Sequence, residues 1–206
     1  MQTTPVRREG LTCFVTDLSD DVEEVGGVPC TTPTRTACDI ARWSTPGVGI
    51  AALDAMARAG FVDPENLRDE IERWRGARYV ARARYLIGAC DPRSESAGES
   101  QFRLRLLDAG FPAPQLQIPL LDGFGRQIFR LDLGYEEVRW AGEYDGEQYH
   151  TGRDQEAHDR HRRLQIEREW RWNLLVVGKA LVLGPSMAIE YAVGEVLGME
   201  PRNRGR

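Results

Sequence analysis

The chain has 206 residues, of which 41% are hydrophobic and 29% charged, proportions that provide for a packed core and exclude global disorder. A formal net charge of −5 argues against adhesion of the whole molecule to nucleic acid by bulk electrostatics. No apolar run approaches the roughly 18 residues that cross a bilayer, and residues 1–20 lack a signal-peptide core, so a cytoplasmic protein with no membrane partner is expected.

Cys13, Cys30, Cys38 and Cys90 show no C-x-x-C spacing, which disfavours a zinc knuckle or a dithiol redox motif. Of the 27 basic residues all but Lys179 are arginine. Guanidinium suits bidentate phosphate contacts, and any mechanism that needs a lysine has one candidate.

In chain order, 11–16 (LTCFVT) and 25–30 (VGGVPC) read as short strands around an acidic turn, Ser19 to Glu24. Thr32-Pro33 opens a helix with proline near its first turn. A second helix runs from Thr45-Pro46 through Arg58 and stops at Gly60. A third starts at Asp63-Pro64-Glu65, a cap followed by proline and an early acid, and runs to about Trp74. A fourth lies near 78–89. The polar stretch CDPRSESAGES, 90–100, divides an α+β segment, 1–90, from a second domain, 94–200.

In that domain a helix over 97–109 ends at Gly110 and Pro112, and strands follow at 115–121, 126–134 and 137–144. DGFG joins the first two as a turn. A polar helix over 154–169, a strand over 171–177, a helix near 186–198 and a frayed tail, PRNRGR, complete the chain. The fold class is therefore α/β, with the order α-β-β-β-α-β-α after a small α+β segment.

The strongest chemical signal lies between Asp132 and His150. Strand side chains alternate, so Glu143 and Asp145 share a face, and a hairpin brings Asp132 to within ~5–8 Å of Glu143. Asp132 interrupts an apolar strand (Phe129, Leu131, Leu133), where an uncompensated carboxylate is costly. Such an oxygen-rich patch suits Mg²⁺ or Mn²⁺, which can activate water at a phosphate. Glu99 lies in line with Phe102 and Leu106 on the 97–109 helix. Its ordinary role there is an i,i+4 pair with Arg103. His158 and His161 sit among arginines in the 154–169 helix, a phosphate-facing or solvated surface rather than a metal pair.

These residues carry a resemblance. The run ESQFRLRLLDAGFP (99–112), Gln117, RLDL (130–133), EYDGEQYH (143–150) and HDRHRR (158–163) resemble the domain-of-unknown-function 559 family. Its members are relatives of very-short-patch repair endonucleases in the PD-(D/E)xK nuclease superfamily. The resemblance implies a restriction-endonuclease-like core, α-β-β-β-α-β, and a Mg²⁺-dependent DNA endonuclease acting in repair or defence. In it Asp132, Glu143 and Glu99 hold the metal, Asp145 supports it, and Gln117 orients the site by hydrogen bonding. Arg160, Arg162 and Arg163 would neutralise DNA phosphates. Fold does not fix substrate, so RNA stays open beside DNA.

The superfamily's lysine position holds Asp145 here. His150 is expected either to transfer the proton, since a neutral-pH imidazole suits that role, or only to cap the loop before the 154–169 helix. Lys179 would have to reach back across the sheet.

Residues 24–45, with TTPTRTACDIAR, resemble the middle segment of actinobacterial abortive-infection antitoxin-like proteins. Those relatives usually begin with a winged helix-turn-helix, and this chain is expected to start after it. The resemblance implies a protein partner for the N-terminal segment. It supports an alternative function, a non-catalytic antitoxin-like or regulatory module built on a nuclease fold, which the acidic balance and the missing lysine favour and the intact trio Asp132, Glu143 and Asp145 disfavours.

Overall fold

The computed structural model describes residues 9–10, 13, 16–18, 20–146 and 153–202, without the side chains of 153–159. It begins with a hairpin of β1 (Val22–Val25) and β2 (Val28–Thr31). Gly26 and Gly27 turn it at φ of 60° and 81°, the geometry a tight two-residue hairpin demands and glycine supplies. The expected strand over 25–30 is thus a turn plus β2, and Glu23 and Glu24 lie within β1 rather than in a turn. Of the strand expected over 11–16, residues 11, 12, 14 and 15 lie outside the described residues, and Cys13 and Thr16 belong to no strand.

Helices α1 (Pro33–Trp43), α2 (Pro46–Arg58) and α3 (Pro64–Glu70) each begin on proline. Thr32 and Asp63 cap α1 and α3 by accepting from the amides of Arg35 and Glu65. A 3-10 turn, Ile71–Trp74, continues from α3 and leads to α4 (Val80–Ala89). Ala37, Ile50, Leu53, Leu67, Leu86 and Ile87 form their core. Arg35 is 2% exposed and ties α1 to the preceding chain. It donates to Asp39, to Asp21 and to the Asp17 carbonyl at 2.8–2.9 Å.

Helix α5 (Ala97–Asp108) sends Leu104 into that core and Phe102 and Leu106 into a second one. Arg103 donates to buried Asp54 of α2 at 2.6 Å, to Ser94 Oγ at 3.2 Å and to the Ala89 carbonyl. The other Asp54 oxygen accepts from the Asp91 amide, so the polar stretch between α4 and α5 is pinned by hydrogen bonds.

Four strands make a mixed sheet in the order β3-β4-β5-β6: Gln115–Leu121, Gln127–Tyr135, Trp140–Asp145 and Asn173–Gly178. The first three are antiparallel; α6 (Arg153–Glu169) crosses over so that β6 runs parallel to β5. Strand β5 starts three residues later than expected, because Glu136–Val138 form a 3-10 turn closed by Arg139 at φ 48°. Phe102, Leu106, Leu133, Trp140 and Val177 pack on one face, with Ile189 and Val193 of α8 (Ala188–Leu197). Ile166 of α6 packs with Ile118, Leu131 and Ala141 on the other.

A short helix absent from the expected order, α7 (Lys179–Leu183), follows β6 directly. Arg105 holds its exit, pairing with Glu190 at 2.6 Å and donating to the carbonyls of Leu181, Val182, Gly184 and Ser186. The tail is docked through Arg202, whose amide donates to the Ala109 carbonyl at 2.8 Å; residues 203–206 lie outside the described residues. No helix among those described is long and apolar enough to cross a membrane. The architecture is mixed α/β, a small antiparallel sheet and a four-stranded mixed sheet with helices.

Candidate functional site

The β3–β4 ladder pairs Leu116 with Leu133 and Ile118 with Leu131 but skips Gln117 and Asp132 between them. Gln117 takes φ 55°, a left-handed conformation costing about 1–2 kcal/mol for a residue with a Cβ. Across this break the inward side chains change sides: Leu116 and Leu133 join the α5 core, Ile118 and Leu131 the α6 core. Simple alternation along a strand does not anticipate such a switch.

The break frees Asp132 for other contacts, and its Oδ2 accepts from the Tyr144 amide at 2.9 Å. On β5, Trp140 and Tyr144 face α5 while Glu143 and Asp145 meet α6. Arg162 of α6 grips Glu143 with both terminal nitrogens, at 2.6 and 2.8 Å, and Arg163 stands 4.0 Å from Asp145. Asp132, Glu143, Asp145, Arg162, Arg163 and Val176 line a cleft of about 230 Å³. Burial foremost, with the charges of Glu99 and Glu143, pushes the Asp132 carboxyl up to about 7, against the Tyr144 amide and Arg162, which pull it down.

Glu99 is 9% exposed and serves as one half of a helix cap. Ser96 Oγ accepts from the Glu99 amide at 3.1 Å, and Glu99 Oε2 accepts from the Glu95 amide at 2.9 Å, a variant of the capping box. The same oxygen accepts from Gln117 Nε2 at 3.0 Å, while Gln117 Oε1 is buried with no donor among the described residues. Glu99 thus engages Gln117 rather than Arg103, whose guanidinium is spent on Asp54. The spacing Ser96-x-x-Glu99 was the available signal for that cap.

Arg160 and His161 are exposed on α6; His150 and the side chain of His158 lie outside the described residues. Lys179 follows Gly178, which pairs with Asp145 in the parallel β5–β6 ladder. It therefore sits beside the end of the acid strand and has no sheet to reach across.

Among the described residues no three or more His, Cys, Asp or Glu gather as a metal-ligating group. Glu143 commits both oxygens to Arg162 and Glu99 accepts two N–H donors through one oxygen. As arranged, the acids fit Mg²⁺ or Mn²⁺ poorly; Arg162, expected at a DNA phosphate, is instead engaged with Glu143.

Fold and site together define a mixed α/β protein with a polar cleft in which buried Glu143 and exposed Asp145 are met by arginines from a crossover helix. Residues 4–89 match the family model of the AbiEi antitoxin C-terminal domain. The chain is also 31% identical over 156 residues to two uncharacterized proteins of Mycobacterium tuberculosis strains, MT2308 and Rv2248. The match takes in 76% of this chain, and the chain spans 57% of the length of these curated relatives. No solved structure matches it.

The antitoxin-domain match bears out the antitoxin-like resemblance of the N-terminal segment, and it corrects the endonuclease expectation. The match over residues 4–89 favours the regulatory alternative over hydrolysis. Motif order in the C-terminal half had suggested phosphodiester hydrolysis, but acids in order on a sheet do not by themselves make a catalytic centre.

Proposed function

We propose that the protein is a non-catalytic regulatory module of the toxin–antitoxin kind. Its N-terminal segment, residues 1–90, engages a protein partner, and its C-terminal module, 94–200, keeps a restriction-endonuclease-like arrangement as scaffold. The observation that carries this reading is the antitoxin-domain match over residues 4–89, whose end supports the division near residue 90. The double hydrogen bond from Arg162 to Glu143 fits a cleft neutralised from within. DNA remains a second class of partner for the module, through Arg160 and Arg163 on α6.

The test is co-expression. Proteins encoded beside this chain are produced singly and scored for growth arrest, then produced with the full chain. One of them should arrest growth alone and be relieved by the chain. Relief by no neighbour, together with plasmid cleavage by the purified chain, would overturn the proposal.

A further inference from the structure

The N-terminal segment carries a second charged surface, on elements other than those of the Asp132 cleft. Helix α1, the Ile71–Trp74 turn and α4 set four arginines against three aromatic rings. Arg35 and Arg42 stand over the Trp74 ring, at 4.5 and 4.6 Å from its centroid. Arg42 also stands 5.2 Å from Trp43, and Trp43 meets Tyr79 edge-on at 5.5 Å. Arg78 and Arg82 both stand over Tyr79, at 4.6 and 4.7 Å. Ring faces attract such cations, but they do not neutralise them.

Carboxylates are distributed unevenly across this cluster. Asp21 and Asp39 pair with Arg35, and Asp39 also meets Arg42. Among the described residues, no ion pair is formed by Arg78 or Arg82. The N-terminal residues outside the description, 1–8, 11, 12, 14, 15 and 19, contain no Asp or Glu. Two buried donors, Arg82 Nε and Trp74 Nε1, also find no acceptor among the described residues, although buried N–H groups almost always have one. The cluster is short of negative charge and of acceptors together.

Its outer part is accessible and strained. Tyr79 is 40% exposed and caps α4 at φ 63°, a conformation uncommon for a bulky residue and one that collects at binding sites. Through Arg42 and Trp43 the cluster adjoins a groove of about 300 Å³ that also takes in Thr16, Thr31, Thr36, Ile40, Ser44 and Asp39, whose carboxylate is held by Arg35 and Arg42.

We propose that this arginine–aromatic surface is the docking site for an acidic segment of the protein partner, an inference that rests on the regulatory reading above. Carboxylates would take the guanidinium fork of exposed Arg78 and a terminal nitrogen of Arg82, whose Nε is buried and whose other terminal nitrogen donates to the Arg42 carbonyl, in charge-assisted pairs. An apolar side chain of the segment would enter the groove. A peptide fits better than a nucleic acid. The faces of Trp74 and Tyr79 already carry two guanidinium groups each, so they offer poor platforms for stacking bases.

The test is fluorescence anisotropy with the full chain and a labelled oligo-glutamate peptide containing one tryptophan. A labelled single-stranded DNA and an oligo-lysine peptide run in parallel. The acidic peptide should bind, weaken with added salt, and lose about tenfold or more in affinity in Arg78→Glu and in Arg82→Gln. Arg126→Glu, on the exposed β3–β4 turn, should change it by less than about twofold. Circular dichroism checks that Arg78→Glu, at an exposed position, remains folded, as expected. Absent peptide binding, binding unchanged in both variants, or DNA binding tighter than the peptide and lost in the same variants would each overturn the proposal. Growth relief without peptide binding would retire this surface and leave the regulatory reading standing.

Discussion

Replacing Asp132 by Asn should stabilise the protein, most strongly above neutral pH. Asn keeps an oxygen for the Tyr144 amide but removes a charge that burial, Glu99 and Glu143 disfavour. The carboxyl titrates near 7 in the folded chain and near ~3.9 unfolded. Folded protein therefore holds this proton more tightly, and its contribution to stability is fully present below about pH 4 and is lost as pH rises through 7. At about 1.4 kcal/mol per pH unit the ceiling is roughly 4 kcal/mol. The cleft is open to water, so about 2–3 kcal/mol is expected, or roughly 4–12 °C in Tm for a chain of this size. Urea unfolding of wild type and variant at pH 4.5, 6 and 8, in buffer with a chelator, measures it. Their difference should be largest at pH 8 and shrink towards zero at pH 4.5. A difference independent of pH, or a variant less stable than wild type at pH 8, would refute the reasoning.

Asp54→Ala strands the Arg103 guanidinium, 5% exposed at its side chain, and should cost about 3–5 kcal/mol in urea unfolding. Gly98→Ala places a methyl group into the Tyr144 ring; overpacking of about 1–3 kcal/mol is expected, read as a lower Tm. Millimolar Mg²⁺ or Mn²⁺ should leave plasmid DNA intact and the wild-type Tm unmoved. A Tm that rises with the ion, and no longer rises in Asp132→Ala, would show that the acids bind metal after all. Trypsin under native conditions should spare the bond after Arg93, whose side chain pairs with Asp91 beside buried Ser94; rapid cleavage there would show that the connection opens independently of the two cores.

Local chemistry legible in the sequence determined much of the secondary structure. Thr-Pro and Asp-Pro steps set the starts of α1, α2 and α3, because proline suits a first turn, and at α1 and α3 the preceding side-chain oxygen also caps a free amide. Strand periodicity located β3 and put Glu143 and Asp145 on one side of β5. Ser96-x-x-Glu99 carried the cap of α5, a signal that competes with Glu99's place in an apolar stripe and its i,i+4 spacing to Arg103.

Tertiary structure alone decided which charges met. Arg162 was placed against Glu143, Arg103 against Asp54 and Arg105 against Glu190. Each partner comes from a different element, 19, 49 and 85 residues away. A guanidinium's local spacing does not specify which distant carboxylate shares its burial; the packing of helix on sheet and helix on helix does. The same holds for Gln117: nothing in QLQIPLL announces a left-handed residue, and the cost of that conformation is tolerable only where Glu99 and the switching faces of the sheet hold it in place.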